Sequence, residues 1–186
     1  MSEPHCIEHS MVVDIEQHWN DTYLKIPSTN LGWYEEHASP SLKLIEQCDL
    51  AKDANIVNAG AGTSNIVESL LKLGFTNIVV NDIAAAPLAE MRDRLSDWKN
   101  ASLEFVVDDL TKSRHLTKLR DVALWYDRAV MHFFTDAVSQ NAYFDLIRQL
   151  VKIDGYVILA EFSLNGAQKC SGLPVVNYNK EMLCEK

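Results

Sequence analysis

The strongest constraint in this sequence is an alternation. From Ala54 to Phe162, five short apolar runs are separated by longer segments, most of which carry a helical stripe. The runs are Ala54–Ala59, Asn77–Asn81, Leu103–Val107, Val122–Tyr126 and Tyr156–Phe162. Between the first two, Ser64–Leu73 puts Ile66, Val67, Leu70 and Leu71 on one stripe and closes at Gly74. Ala86–Leu95 and Asp136–Val151 also read as helices, the second with Tyr143, Phe144, Ile147, Leu150 and Val151 inward. Strands this continuously apolar are covered by helices on both faces. Strand and helix in alternation imply a parallel, doubly wound α/β sheet.

The chain has 186 residues, 47% of them hydrophobic, which suits one domain with a full core. No linker or internal repeat divides it. Residues 1–50 read as an N-terminal helical cap, 51–162 as the sheet-forming core, and 163–186 as a loop and terminal helix. About the first 12 residues are polar and expected to be loose. Val13, Ile15, Trp19 and Tyr23 then mark an amphipathic helix, and Ser39-Pro40 predicts a second helix, with Ser39 capping it. No apolar run reaches the ~18 residues of a membrane span. Met1 to Asn20 holds no Lys, no Arg and no apolar block, so a cytoplasmic chain without membrane contact is expected.

Seventeen Lys and Arg face 26 Asp and Glu, a net charge of −9. Such a surface repels phosphate backbones, and the basic residues do not cluster, so nucleic acid is not an expected partner. The same charge weakly favours cationic or neutral substrates through long-range steering. Cys6, Cys48, Cys170 and Cys184 form no Cys-x-x-Cys pair, and no metal site is expected.

The first strand runs directly into Asn58-Ala59-Gly60-Ala61-Gly62-Thr63-Ser64, where a helix begins. Strand, glycine turn and helix is the context that gives such a motif meaning. Gly60 permits the tight turn, and Gly62 lets a ligand approach the backbone. A dinucleotide site would want a third glycine at position 65, where Asn65 stands. A nicotinamide-dependent oxidoreductase is therefore disfavoured. The second strand ends in Asp82, 22 residues beyond Gly60, where a carboxylate can accept both ribose hydroxyls. The third ends in Asp108-Asp109-Leu110, where a carboxylate can meet the adenine amine. A single acidic strand end is more often a solvated loop residue. Three such features on consecutive strand ends, where open α/β sheets bind ligands, point to an adenosine with a charged tail.

On these residues the chain resembles the class I S-adenosylmethionine-dependent methyltransferases. More narrowly it is similar to the branch that includes elongation-factor and citrate-synthase lysine methyltransferases and bacterial relatives. The stretches His18–Tyr23, Gly32–Glu35, Asp127–Phe133 and Cys170–Val175 carry that similarity. The resemblance implies a Rossmann-like sheet in the order 3-2-1-4-5 and S-adenosyl-L-methionine as cofactor. It implies that Gly60, Ala61 and Gly62 line the methionine part and that Asp82 holds the ribose, with Ile83 against the adenine. Asp109 and the Leu110 backbone would meet the adenine, and Asp127 the methionine amino group. Trp33 and Tyr34 would cover the cofactor. The family usually has an acidic residue where this chain has Asn58.

Methyl transfer from a sulfonium is an in-line displacement, so the protein chiefly aligns the acceptor. A base is needed only if the acceptor arrives protonated, and Asp127, His132 and Tyr34 are the candidates. His132 reads more readily as a packed or partly exposed residue among Phe133 and Phe134. Arg128 could clamp a carboxylate or pair with Asp127 or Glu35. The expected activity is methyl transfer to a small molecule or a protein side chain. The competing class is a catalytically weak or inactive cofactor-binding protein acting through partners. The resemblance further implies a final antiparallel hairpin, which this sequence is expected to lack. Tyr156–Phe162 would then be an apolar edge, paired with a second copy in a homodimer or covered by the terminal segment.

Overall fold

The computed structural model describes residues 13–186. The loose segment expected before them, with Cys6, lies outside the described residues. Five parallel strands form one sheet: β1 (Asn55–Ala59), β2 (Asn77–Asp82), β3 (Ser102–Val107), β4 (Val122–Arg128) and β5 (Val151–Ala160). Their order is β3-β2-β1-β4-β5, as the resemblance implies.

Alternate side chains of the sheet feed two separate cores, as the period-2 geometry of strands requires. On one face Ile56, Ile78, Val80 and Leu124 pack against α2 (Ser39–Ile45), α3 (Ile66–Lys72) and α4 (Ala85–Arg94). On the other, Val57, Ala59, Val106 and Trp125 pack against α5 (Ala137–Leu150). Trp125 and Tyr143 are fully buried there, and the indole N–H donates to the Tyr143 hydroxyl at 3.0 Å.

The N-terminal cap begins with α1 (Ile15–Lys25). Asp14 caps it, accepting the Gln17 amide at 3.0 Å. Asn20 Oδ1 anchors the helix to the sheet domain by accepting the Ala86 amide at 3.0 Å. Ser39 does not cap α2 as expected. The helix starts one residue earlier, because the Ala38 carbonyl already accepts the Leu42 amide at 2.9 Å and Ala38 is buried in the core.

The segment after β5 is more ordered than a plain loop. It folds a small antiparallel hairpin, β6 (Lys169–Cys170) with β7 (Leu173–Pro174), turning through Ser171 and Gly172 at positive φ. A short helix, α6 (Lys180–Cys184), follows. The Tyr178 amide donates to the Phe162 carbonyl at 2.8 Å, so the terminal segment meets the chain just beyond the end of β5. Ile153 and Val157 on that strand stay exposed. No helix among the described residues is long and apolar enough to cross a membrane.

Candidate ligand site at the strand ends

The sheet order places a switch point between β1 and β4, where connections depart in opposite directions. Open α/β sheets bind ligands in the crevice beyond such a point. A cavity lies there, reached from the carboxyl ends of β1, β2, β3 and β4. Trp33, Tyr34, Gly60, Ala61, Asp82, Ile83, Asp109 and Leu110 all line it, as do Asn58 and Ser64.

The glycine turn forms its floor. Gly60 and Gly62 both take positive φ, 56° and 52°. A Cβ on Gly60 would stand 2.0 Å from Val130 Cγ2, and one on Gly62 would stand 2.3 Å from the Tyr23 hydroxyl. Both residues must therefore be glycine for two reasons, backbone conformation and close approach. Gly62 is covered by Tyr23 and does not itself line the cavity. Asn65, standing where a dinucleotide site has glycine, has a different task. Its side-chain amide donates to the Glu35 and Glu36 carbonyls at 3.1 and 3.4 Å, fastening the cap to the turn.

Asp82 is buried at the end of β2. One carboxyl oxygen accepts the Gly62 amide at 2.8 Å, the other the Ala84 amide at 2.9 Å. Each oxygen keeps a second lone pair for a ligand hydroxyl. Burial pushes its pKa up to about 6, against the opposing pull of these amides. At the end of β3 the two neighbouring acids divide their work. Asp108 Oδ2 accepts from the Ser113 hydroxyl and from the Arg114, His115 and Leu116 amides, so it builds the following turn. Asp109 faces the cavity, steadied by Thr111 and by Lys112 at 3.3 Å.

At the cavity wall, the Asn58 side-chain nitrogen and the Ser64 hydroxyl are buried and have no hydrogen-bond partner. Buried polar atoms are normally satisfied, so these two unpartnered groups, with Asn81 Oδ1 as a third beside the same cavity, mark the place of a polar ligand group. The departure at Asn58 thus supplies a donor where an acid would supply an acceptor.

Asp127 and His132 are not brought to this cavity. Asp127 is fully buried behind the wall. It accepts the Tyr143 hydroxyl at 2.5 Å and the Val130 and Met131 amides at 3.1 and 3.2 Å. Those amides belong to the turn that carries Val130 onto Gly60, with Ala129 at φ 65°. Asp127 thus shapes the wall from behind. His132 is fully buried as well, stacked on Phe162 at 4.8 Å between ring centroids. Its Nδ1 lies 2.8 Å from Glu161 Oε2, yet neither group finds an aligned hydrogen bond. Burial lowers the His132 pKa to about 4 and raises that of Glu161 to about 8, so it disfavours the charged form of each. Burial and the neighbouring Glu161 also hold Asp127 well above the usual carboxylate range.

Glu161 is the member of this group that sequence reasoning missed. An acid directly after four apolar residues of the fifth strand was the available signal. Arg128 resolves its alternatives in favour of Glu35, at 3.1 Å, while also donating to the Trp33 carbonyl at 3.0 Å. Trp19 meets Trp33 and Phe133 edge-on, so it joins the cavity's aromatic roof. Burial raises the Cys170 thiol, which leaves it protonated at neutral pH. Among the described residues no cluster of His, Cys, Asp and Glu could hold a metal ion.

No family model matches the sequence, and no curated protein matches it. Solved structures do. A phosphoethanolamine N-methyltransferase of Haemonchus contortus, solved with phosphomonomethylethanolamine and S-adenosylhomocysteine, superposes at TM-score 0.73 and 14% identity. The match covers 94% of this chain and 43% of that one. An S-adenosylmethionine-dependent methyltransferase of Clostridium acetobutylicum matches at TM-score 0.56 and 17% identity, over 81% of this chain and 52% of its own. A TehB-like methyltransferase of Corynebacterium glutamicum gives 0.57 and 17%, over 77% and 67%. At such identities the likeness establishes the fold. The chain spans between 43% and 64% of the length of four of the structures it matches.

Proposed function

The chain has the fold of S-adenosylmethionine-dependent methyltransferases, and we propose that it binds S-adenosyl-L-methionine in the strand-end cavity and transfers its methyl group. One observation carries the reading: three complementary polar features meet around a single cavity. Asp82 offers two acceptor lone pairs to a ribose diol, Asp109 offers an acceptor to an adenine amine, and Asn58 and Ser64 offer unpartnered groups to an amino-acid tail. The cofactor's part is an activated methyl on a sulfonium. The chain's part is to hold both ends of that molecule and exclude water.

The cavity's free space is about 130 Å³, below the ~300 Å³ at the low end of ligand pockets. Tyr23, Trp19 and Trp33 fill part of it, so binding requires α1 to yield. The sequence resemblance to lysine methyltransferases extends the acceptor range to protein side chains. A second reading, cofactor binding without transfer, is favoured by the sealing of Asp127 and His132 away from the cavity. Calorimetry with S-adenosylmethionine and S-adenosylhomocysteine tests binding, and S-adenosylhomocysteine release across an acceptor panel tests transfer. No binding at millimolar cofactor overturns the proposal. Binding without release across the panel selects the second reading.

A further inference from the structure

A second cavity, of about 660 Å³, adjoins the first. It opens between the cap and the β6–β7 hairpin, and it shares Leu31, Trp33, Arg128, Ala129 and Cys170 with the strand-end cavity. Its size is that of a pocket for a small organic molecule. Trp33 and Phe162 give it apolar walls.

Its charge opposes that of the chain as a whole. Arg128 and Lys169 are its basic residues, and among the described residues no carboxylate pairs with Lys169. Arg128 is balanced by Glu35, which lines the other cavity. The remaining acid, Glu161, contributes backbone to the wall, while its side chain is 1% exposed and turned toward His132. Burial also keeps that carboxyl largely uncharged at neutral pH. One uncompensated positive charge is left, in a chain of net charge −9.

The five residues common to both cavities include no free base. Of those five only Arg128 and Cys170 ionise, the first as a cation and the second as a protonated thiol; Glu35 and Tyr34 line only the strand-end cavity, Glu35 being committed to Arg128, and Asp127 and His132 are buried away from both. An acceptor at this junction must bring its own lone pair.

We propose that the second cavity is the acceptor site, and that it takes a small organic anion whose accepting atom needs no deprotonation by the protein. This rests on the methyl-transfer reading above. The step then balances without a proton. The acceptor's lone pair forms the new bond to the methyl carbon, and the breaking carbon–sulfur pair returns to the sulfonium sulfur as a neutral thioether. Lys169 attracts the anion, and Trp33 and Phe162 flank its apolar body.

The test uses 4-mercaptobenzoate, whose thiol is readily ionised and which carries a second anionic group, against 4-methylbenzenethiol and benzylamine. The 186-residue chain is saturated with S-adenosylmethionine for turnover and with S-adenosylhomocysteine for calorimetry. The mercaptobenzoate is expected to bind and to turn over with a kcat/KM at least about tenfold above either comparator. Lys169→Glu should raise its KM about tenfold, whereas Lys152→Glu, an equal change of net charge at the exposed far end of β5, should not. Rescue of the KM by Lys169→Arg separates charge from fold. Equal or better use of benzylamine, equal effects of the two Glu variants, or no binding of the mercaptobenzoate to a chain that does bind S-adenosylhomocysteine overturns the proposal. Failure to bind S-adenosylhomocysteine strikes the methyl-transfer reading instead.

Discussion

Asp82 and Gly62 are 20 residues apart in sequence, and the Asp82 carboxylate accepts the Gly62 amide at 2.8 Å. This bond ties the end of β2 to the glycine turn after β1. It also fixes the carboxyl group whose free lone pairs face the cavity. Its pKa, pushed up to about 6 by burial, makes ligand affinity pH-dependent. Protonation removes acceptor capacity, so S-adenosylmethionine affinity should fall as pH drops through about 6. Asp82→Ala should cost most of the affinity at every pH. Calorimetry from pH 5 to pH 8 checks both, and a flat profile would sink the assignment of Asp82.

Asn58 offers a cleaner separation of binding from folding. Its side-chain nitrogen has no partner within the protein. Asn58→Leu therefore removes no internal hydrogen bond to that nitrogen and relieves a buried polar group. Stability should hold or rise, while cofactor affinity drops about tenfold, the ~1.4 kcal/mol of one polar contact. A matched loss of melting temperature would show a structural role instead.

The buried pair sets a pH dependence of stability. Glu161 holds its proton up to about 8 when folded but only to about 4.5 when unfolded. Its contribution is therefore present at low pH and is lost as pH rises through that window. His132 acts oppositely, since its folded pKa of about 4 lies below the usual 6.5. Its cost is felt in acid and disappears by about pH 6.5. The two offset one another below that point, leaving a net decline between about pH 6.5 and 8. Thermal melts should show that decline in the native chain and a smaller one in Glu161→Gln, where Asp127, also raised by burial, still titrates.

Gly60→Ala combines a positive φ with a collision against Val130. The left-handed backbone alone costs about 1–2 kcal/mol. We expect a lower melting temperature and distorted ligand binding, with partial relief when Val130→Ala is added. Gly32→Ala, whose Cβ would meet nothing within 4 Å, serves as the tolerated control.

The parallel sheet was legible because the strands are apolar on both faces and the helices show clear stripes. The gathering of Gly60, Ala61, Asp82, Asp109 and Leu110 around one cavity was legible because glycine and acid stand at three consecutive strand ends, a pattern that a single acidic end does not make. What escaped the sequence depends on contacts between distant segments. Ser39 looked like a cap because the burial of Ala38 against the core cannot be seen locally. Asp127 and His132 looked available because their burial is created by α5 and by the end of β5, through Tyr143 and Glu161. The β6–β7 hairpin is held by only two residue pairs, too short for any periodic signal.

The helix α1 lies across the mouth of the strand-end cavity, with the Tyr23 hydroxyl set against Gly62 and Asn20 pinned to Ala86. On the proposed reading, seating a nucleoside in this cavity displaces those contacts. Association should therefore saturate with ligand concentration, at a ceiling set by how often α1 lifts. Turnover could then be paced by the departure of spent cofactor, so that loosening the Asn20 anchor would speed exchange while weakening retention.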